Sequence, residues 1–222
     1  MIIMKFSTLD FQSNPNIGLF AFSTDKFCLV NRFIRKRDAD LIGRVLKVPV
    51  YETSLLGTGL IGIFAGGNSN GIIISDRIYT EEIEHMKRNF EVLVLETKHT
   101  AMGNLILAND RGCIISKEIE EHRSEISRFL GVETAAGTIG GMELVGSLAV
   151  ANSKGCLVYK EASEREKKLI ENMLHVPVLP GSINYGNQWV KSGLIANSNG
   201  FLAGDQTSGP ELGLISETLG FM

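Results

Sequence analysis

Three cysteines are the side chains of this 222-residue chain best suited to nucleophilic chemistry. Cys28, Cys113 and Cys156 each stand one residue after a turn position of an internal repeat described below. The other two copies of the repeat have Ile72 and Phe201 at this place. A position that accepts isoleucine, phenylalanine or cysteine is typical of a hydrophobic core, where cysteine acts as a small apolar residue. We therefore predict that the cysteines pack in the core and are unreactive.

Four histidines could act as general bases or as metal ligands. His85 and His122 fall on polar faces of predicted helices, and His175 falls at a helix end. His99, in TKHTAMG, lies near the end of a predicted strand and is the one histidine to test as catalytic. No cysteine, histidine or carboxylate group has metal-ligand spacing, and no glycine-rich phosphate loop follows a predicted strand. The sequence therefore predicts no metal, no cofactor and no catalytic residue.

The composition is that of an ordinary globular protein with a mild acidic excess. The formal net charge is −3, which argues against a general nucleic-acid-binding protein and favours a basic protein or a small molecule as partner. No apolar run is long enough to cross a membrane, and the N-terminal stretch lacks the pattern of a signal peptide. An odd number of widely spaced cysteines is typical of a reducing compartment. We expect a cytoplasmic monomer that does not bind membranes.

An Asn-x-x-Gly motif recurs along the whole chain. Its four copies begin at Asn68, Asn109, Asn152 and Asn197, and their glycines are 41, 43 and 45 residues apart. One further step of 44 residues back from Gly71 reaches residue 27, in a degenerate first copy. The sequence therefore predicts a single domain over 1–222 with five repeats of about 44 residues, whose turn positions lie near 27, 71, 112, 155 and 200.

Each repeat predicts the same order of elements. Short apolar runs on both sides of the turn indicate a β-hairpin, in which asparagine suits the first turn position and glycine the last, where a positive φ is often needed. An amphipathic helix and a further strand follow. Ser163 and Glu166 form the pattern of a capping box, and Asp38 is the predicted N-cap of the first helix. The result is an α+β fold of five ββαβ-type units.

Ring closure is the simplest way to complete the fifth unit, which has no strand after its C-terminal helix. We expect the N-terminal strand 1–9 to close the ring beside this helix, since closure also removes open sheet edges. A glycine nine positions before four of the five turns supports crowding at an axis. This position is occupied by Gly18, Gly62, Gly103 and Gly146 in four repeats and by Lys191 in the fifth.

The turns must share one face of a pseudosymmetric ring. A flat face built from rigid turns suits protein docking better than it suits a small ligand. The expected polar patch consists of Asn68, Asn109, Asn152 and Asn197, with Arg111 and Lys154. Loops on the opposite face, such as 97–102, are almost equally exposed in this interpretation, so the docking face stays open.

Four longer segments resemble the archaeal translation initiation factor 6 family. These are GNLILANDRGCIIS, VGSLAVANSKGCLVY, VPVLPGSINYG and GDQTSGPELGLISETLGF, and the resemblance covers the whole chain. The family implies the pentein fold, a closed five-fold α/β propeller. It also implies a factor that binds the large ribosomal subunit without catalysis and sterically prevents its association with the small subunit. The implied contact is chiefly with a ribosomal protein, close to the sarcin–ricin loop of the large-subunit RNA.

The resemblance also suggests which residues dock. The two candidate sets are Asn109, Asp110 and Arg111 in one turn, and Asp205, Thr207 and Glu211 in the C-terminal segment. The basic segment 32–37 is interpreted either as a solvated loop or as a contact for RNA phosphates.

A second hypothesis is a guanidine-modifying hydrolase or transferase, because the pentein fold also includes enzymes that use a cysteine, a histidine and paired carboxylates at the ring centre. That function needs a cysteine outside the packing register and an acidic residue at the axis. All three cysteines are in register, and four predicted axial positions have glycine and the fifth has Lys191 in place of a carboxylate, so the residues favour a non-enzyme. A structural subunit of another assembly is a third interpretation that the residues leave open.

Overall fold

Five three-stranded sheets make up the fold over residues 5–222, the part of the chain that this computed structural model describes. In each sheet two strands form an antiparallel hairpin, and a third strand pairs in parallel with the second. A long helix leads to the third strand in four units, and in the fifth it ends the chain. A short helical turn precedes every hairpin.

The bounds of the elements follow this order. The hairpin strands are β2 (Ala21–Ser23) and β3 (Cys28–Asn31), β5 (Gly66–Asn68) and β6 (Gly71–Ser75), β8 (Ile106–Ala108) and β9 (Gly112–Ser116), β11 (Ala149–Ala151) and β12 (Cys156–Tyr159), and β14 (Leu194–Ala196) and β15 (Phe201–Gly204). The third strands are β4 (Val50–Thr53), β7 (Val92–Leu95), β10 (Glu133–Gly137), β13 (Val178–Gly181) and β1 (Phe6–Leu9).

The helices fall into two sets. The long ones are α1 (Lys36–Leu46), α3 (Thr80–Lys87), α5 (Arg123–Leu130), α7 (Glu164–Leu174) and α8 (Gly209–Thr218), with a 3-10 helix Lys117–His122 ahead of α5. The short turns are α2 (Ile61–Phe64), α4 (Met102–Leu105), α6 (Val145–Leu148) and the 3-10 helices Ile17–Phe20 and Val190–Gly193. No helix among residues 5–222 is long and apolar enough to span a membrane.

The fifth sheet is completed from the other end of the chain. Strand β1 runs parallel to β15, with Phe6 opposite Phe201 and Leu9 opposite Gly204. The Phe6 and Phe201 rings stack with their centroids 5.2 Å apart. Residues 1–4 of the predicted strand 1–9 lie outside the described part of the chain.

The short helical turns close a circle around the axis. Each one contacts the next, and the last contacts the first. A Cβ on Gly62 would lie 2.0 Å from the carbonyl oxygen of Gly18, and one on Gly103 would lie 2.2 Å from that of Gly62. Glycine is required here because the backbone of the neighbouring unit occupies the space of a side chain. The five units and the circle confirm the predicted α+β ring of ββαβ-type units.

The hydrophobic core is divided among the seams between units. Each of its five clusters draws side chains from two neighbouring units, as where Leu107 of the third unit packs with Val158 of the fourth. Cys28, Cys113 and Cys156 are fully buried in these clusters, which confirms their predicted packing role. Burial raises the pKa of Cys113 and Cys156 to about 12, and raises that of Cys28 as well, so these thiols stay protonated.

The helix ends match the sequence at one predicted cap and differ at another. Ser163 caps α7 with the full capping box that its spacing to Glu166 predicts. The predicted cap Asp38 is wrong, because α1 begins at Lys36 with Arg35 in the N-cap position. Asp38 lies inside the first turn, where its carboxylate is buried and accepts a hydrogen bond from Arg35 Nε. The pairing with Arg35 satisfies this carboxylate in place of a helix N–H group.

Candidate docking faces

The ring has two faces that differ in their elements. The turn face carries the Asn-x-x-Gly turns together with the C-terminal ends of the long helices. The loop face carries the short helical turns, the loops that follow the third strands, and the N-terminal ends of the long helices.

The asparagines of the turn face connect each unit to the next. Asn109 Oδ1 accepts hydrogen bonds from the backbone N–H groups of Arg111 and Gly112, which holds its own turn. Its Nδ2 donates to the carbonyl oxygens of Asn152 and Leu174, both at 3.0 Å. The first acceptor belongs to the next turn and the second to the end of the next long helix. One carboxamide therefore ties together three backbone segments.

The same connection repeats around the ring. Asn68 donates to the third unit, Asn152 to the fifth, and Asn197 to the first, each time to the next turn and to the next helix end. The first repeat has Thr24 in place of asparagine, and its hydroxyl donates within its own turn. All four asparagines are between 2 and 6% exposed. Their amides bond inside the ring, so these four side chains add little exposed surface to the polar patch predicted for this face.

Glycine is required at the last position of the turns for a different reason from the predicted positive φ. None of Gly71, Gly112, Gly155 and Gly200 has a positive φ. A Cβ on Gly112 would lie 1.7 Å from the carbonyl oxygen of Met173, because the end of the next helix packs directly against the turn. The requirement is space for a neighbouring unit, which the local turn pattern does not reveal.

A second set of hydrogen bonds links the residues at the second position of the turns. Ser69 N donates to Asp110 Oδ1 at 2.9 Å, and Ser198 N donates to Asp25 Oδ1 at 2.7 Å. Ser153 and Ser198 share a hydroxyl–hydroxyl bond of 2.6 Å. Among the described residues the series is interrupted between Asp110 and Ser153, at the junction of the third and fourth units. Asp110 is exposed and uses one carboxylate oxygen, so the other is free for a partner.

Two exposed cations of the turn face belong to the turns of the third and fourth units. Arg111 is exposed, and its Nη1 donates to the carbonyl oxygen of His175 at the end of α7, at 3.2 Å. Lys154 is exposed as well, with Nζ 4.8 Å from the centroid of the Phe221 ring. Positive side chains near helix C-termini are favoured by the helix dipole. We call Asp110, Arg111 and Lys154, the exposed charged residues of the third and fourth turns, the turn-face charge cluster.

The second candidate set lies on the loop face and is largely occupied. Glu211 accepts hydrogen bonds from Ser182 Oγ at 2.7 Å and from the backbone N–H groups of Tyr185 and Gly186. Thr207 is buried and donates to Asn184 Oδ1. Asp205 is the exposed member of the set. The structure therefore places the two candidate sets on opposite faces and leaves one free side chain in the second.

The basic segment 32–37 also belongs to the loop face. Arg35 donates to Asp38 and to the carbonyl oxygen of Asp10, so internal partners hold its guanidinium. Arg37 is more exposed and lines a surface groove together with Arg35 and Asp205. Any contact through this segment would use the face opposite to the turn-face charge cluster.

A set of hydrogen bonds between a helix glutamate and a loop of the neighbouring unit was not predicted from the sequence. In α3, Glu82 accepts hydrogen bonds from Ser54 Oγ and from the N–H groups of Leu56 and Gly57, in the loop that follows the previous unit's third strand. Glu166 makes the same contacts with Thr138, Gly140 and Gly141. The sequence does contain a signal for this contact. It is a serine or threonine that stands 28 or 29 residues before a glutamate in the first turn of a long helix.

Among the described residues, the cavity at the centre of the ring lacks the catalytic residues that the enzyme hypothesis requires. The cavity on the axis is lined by residues from all five units, and no cysteine, histidine or carboxylate is among them. His99, the histidine proposed for testing, has Nε2 3.3 Å from Glu118 Oε2, and neither residue lines this cavity. The guanidine-modifying enzyme hypothesis requires a cysteine with acidic partners at this place, so the geometry argues against it.

The sequence has relatives along its full length. A chain named Translation initiation factor 6 from Pyrococcus furiosus is 40% identical over 227 residues, covering 99% of this chain and 100% of the relative. The chain of the same name from Pyrococcus horikoshii is 37% identical with the same coverage. The one from Methanosarcina mazei is 36% identical over 218 residues, covering 97% and 98%.

A solved structure and a family model complete the comparison. A mutant of DDAH from Pseudomonas aeruginosa, complexed with citrulline, gives a TM-score of 0.48 at 11% identity, covering 79% of this chain and 71% of that one. Residues 6–218 match the model of the eIF-6 family. A family match of this extent, together with relatives that are more than a third identical from end to end, shows that this chain belongs to the eIF-6 family.

Proposed function

We propose that this chain is a translation factor that binds the large ribosomal subunit and sterically prevents its association with the small subunit. The observation that carries the proposal is the end-to-end match to the eIF-6 family, whose compared members are named Translation initiation factor 6. The lining residues of the axial cavity include no cysteine, histidine or carboxylate, which are the residues that the alternative guanidine-modifying chemistry would need.

The turn face is the surface we propose for docking. Its hydrogen-bonded turns are rigid before binding, so little conformational entropy is lost when a partner binds. The turn-face charge cluster supplies exposed charges that internal partners already orient. The proposed contact is chiefly a ribosomal protein, close to the sarcin–ricin loop of the large-subunit RNA. Arg111 and Lys154 suit carboxylates or phosphates, and Asp110 suits a basic side chain.

Sedimentation of separated ribosomal subunits tests both parts of the proposal. Subunits of a related archaeon are mixed under conditions that favour joining, with and without the protein. We expect the protein to travel with the large subunit and the joined peak to shrink in proportion to the protein added. A protein that stays at the top of the gradient and leaves the joined peak unchanged would contradict the proposed function.

Charge reversals on three surfaces identify the face. Arg111→Glu is expected to weaken binding to large subunits at least about tenfold, because it removes an oriented charge from the interface. Asp205→Lys probes the loop face, and Lys168→Glu on the exposed side of α7 is the control. A loss caused by Asp205→Lys but not by Arg111→Glu would move the docking site to the loop face while keeping the function.

A further inference from the structure

A cavity of about 400 Å³ lies on the ring axis, on the loop face. All five units contribute to its walls, through residues such as Asn16, Gly62, Asn104, Ser147 and Lys191. Its wall includes Leu144, which is 36% exposed. The volume falls within the range of small-molecule sites, which are concave and combine apolar walls with a few polar groups.

Lys191 brings a cation to the axis at the one repeat position where the other four units have glycine. Its Nζ donates to the carbonyl oxygen of Gly103 at 2.7 Å. An ammonium group has three N–H donors, so two remain after this bond. No other ionisable side chain lines the cavity or the channel that continues below it between the hairpins. The buried amine therefore has no acidic partner among the described residues that surround it.

The surrounding polar groups add donors that the fold does not use. The side chains of Asn104 and Ser147 line the cavity and make no hydrogen bond with another described residue. The Trp189 ring forms a further part of the wall. By contrast, Asn16 and Ser192 bond to each other at 3.2 Å and belong to the internal structure.

We propose that the axial cavity binds a small oxyanion, a carboxylate or a phosphate group, through Lys191 with the help of Asn104 and Ser147. A buried charge is stable when it is paired and hydrogen-bonded, and an oxyanion supplies both kinds of partner. Burial lowers the pKa of Lys191 to about 7, so a bound anion would also favour the protonated amine. The cavity lies opposite to the turn face, and the proposal is independent of ribosome binding.

Trp189 makes the test direct, because it is the only tryptophan of the chain and it lines the cavity. Its fluorescence is followed while inorganic phosphate or succinate is added at about pH 6, with ionic strength held constant by chloride. We expect a saturable change with at least one anion, and the anion that saturates identifies phosphate or carboxylate as the preferred group. Calorimetric titration measures the same binding without relying on the indole.

The variants separate an anion site from a merely structural lysine. Lys191→Gln is expected to weaken binding at least about tenfold, since a hydrogen bond to a charged group is lost, whereas the surface variant Lys160→Gln should bind as the parent does. Binding should also weaken when the pH rises from about 6 to about 9, because the amine loses its proton. If Lys191→Gln does not fold, Ser147→Ala and this pH series decide. Equal binding by Lys191→Gln, a flat pH series, or no saturable change with either anion would overturn the proposal.

Discussion

Asn109 shows how one side chain can serve both a local turn and the assembly of the ring. Its carboxamide accepts two hydrogen bonds from its own turn and donates two to the neighbouring unit, while only 6% of the residue is exposed. Every polar atom of the side chain is therefore paired inside the protein. Its contribution to docking is indirect, through the position of the exposed residues Asp110 and Arg111.

Asn109→Ala is expected to lower the free energy of unfolding by about 2 to 4 kcal/mol, because buried carbonyl and N–H groups lose their partners. Chemical denaturation measures this change. Asn89→Ala is the matched control, since Asn89 is exposed and should change stability by less than about 0.5 kcal/mol. Equal effects of the two variants would mean that the carboxamide does not support the ring.

The cysteines give a second prediction at the residue scale. The three thiols are expected to resist a disulfide reagent such as dithiobis-nitrobenzoate in the native protein, because they are buried and burial raises the pKa of all three. All three should react once the chain is unfolded in denaturant. Absorbance of the released nitrothiobenzoate counts the reactive groups, and fast reaction of any thiol in the native state would contradict the packing role.

The first turn of a long helix is the element that binds the preceding unit through hydrogen bonds. Glu82, Glu166 and Glu211 each accept hydrogen bonds from the loop that follows the previous third strand. Burial by itself would raise the pKa of Glu166 and Glu211, but the hydrogen bonds from backbone and hydroxyl groups lower both to about 2. The ionised carboxylate is thus the form that holds neighbouring units together.

These hydrogen-bonded carboxylates predict a loss of stability in acid. The folded pKa lies below the ordinary value of 4.5, so the stabilisation is complete above about pH 4.5 and disappears as the pH falls toward 2. Glu166→Gln should lower stability at neutral pH by roughly 1 to 2 kcal/mol and flatten its decline over this window. Thermal melting at a series of pH values measures both effects. The exposed Glu171→Gln on the same helix should keep the parent profile.

The stability of the whole ring depends on its closure around the axis, where backbone segments of neighbouring units are in direct contact. Gly18 packs on the carbonyl oxygen of Lys191, and Gly62, Gly103 and Gly146 repeat this approach around the circle. The same closure creates the axial cavity and holds the turns of the opposite face in one rigid surface. A substitution that disrupts one contact between units should therefore lower the stability of the entire ring.

Two glycine substitutions test this dependence. Gly103→Ala should lower the free energy of unfolding by at least about 2 kcal/mol, because the new Cβ would overlap backbone atoms of the neighbouring unit. Gly213→Ala, inside the exposed part of α8 with no atom near the new Cβ, should leave stability unchanged or raise it by up to about 1 kcal/mol. Denaturant titration compares them, and similar values would argue against crowding at the axis.

The repeat made much of the fold predictable. The spacing of the Asn-x-x-Gly motifs predicted the number of units, and the periodicity of apolar residues predicted the hairpin–helix–strand order. The repeat register of Cys28, Cys113 and Cys156 predicted that they lie in the core, where they are found. These features depend on residues that are close in sequence, or on the same position recurring in every unit. Such patterns are visible without knowing how the units meet.

Contacts between units were decided by the tertiary structure alone. The turn glycines are required by the ends of neighbouring helices, the asparagine amides are used up inside the ring, and the two candidate docking sets lie on opposite faces. The position of Lys191 on the axis was readable from its repeat register, whereas its unused donors and lack of an acidic partner were not. Hydrogen-bond partners 41 to 176 residues apart depend on how neighbouring units pack, and a local sequence pattern contains no information about that packing.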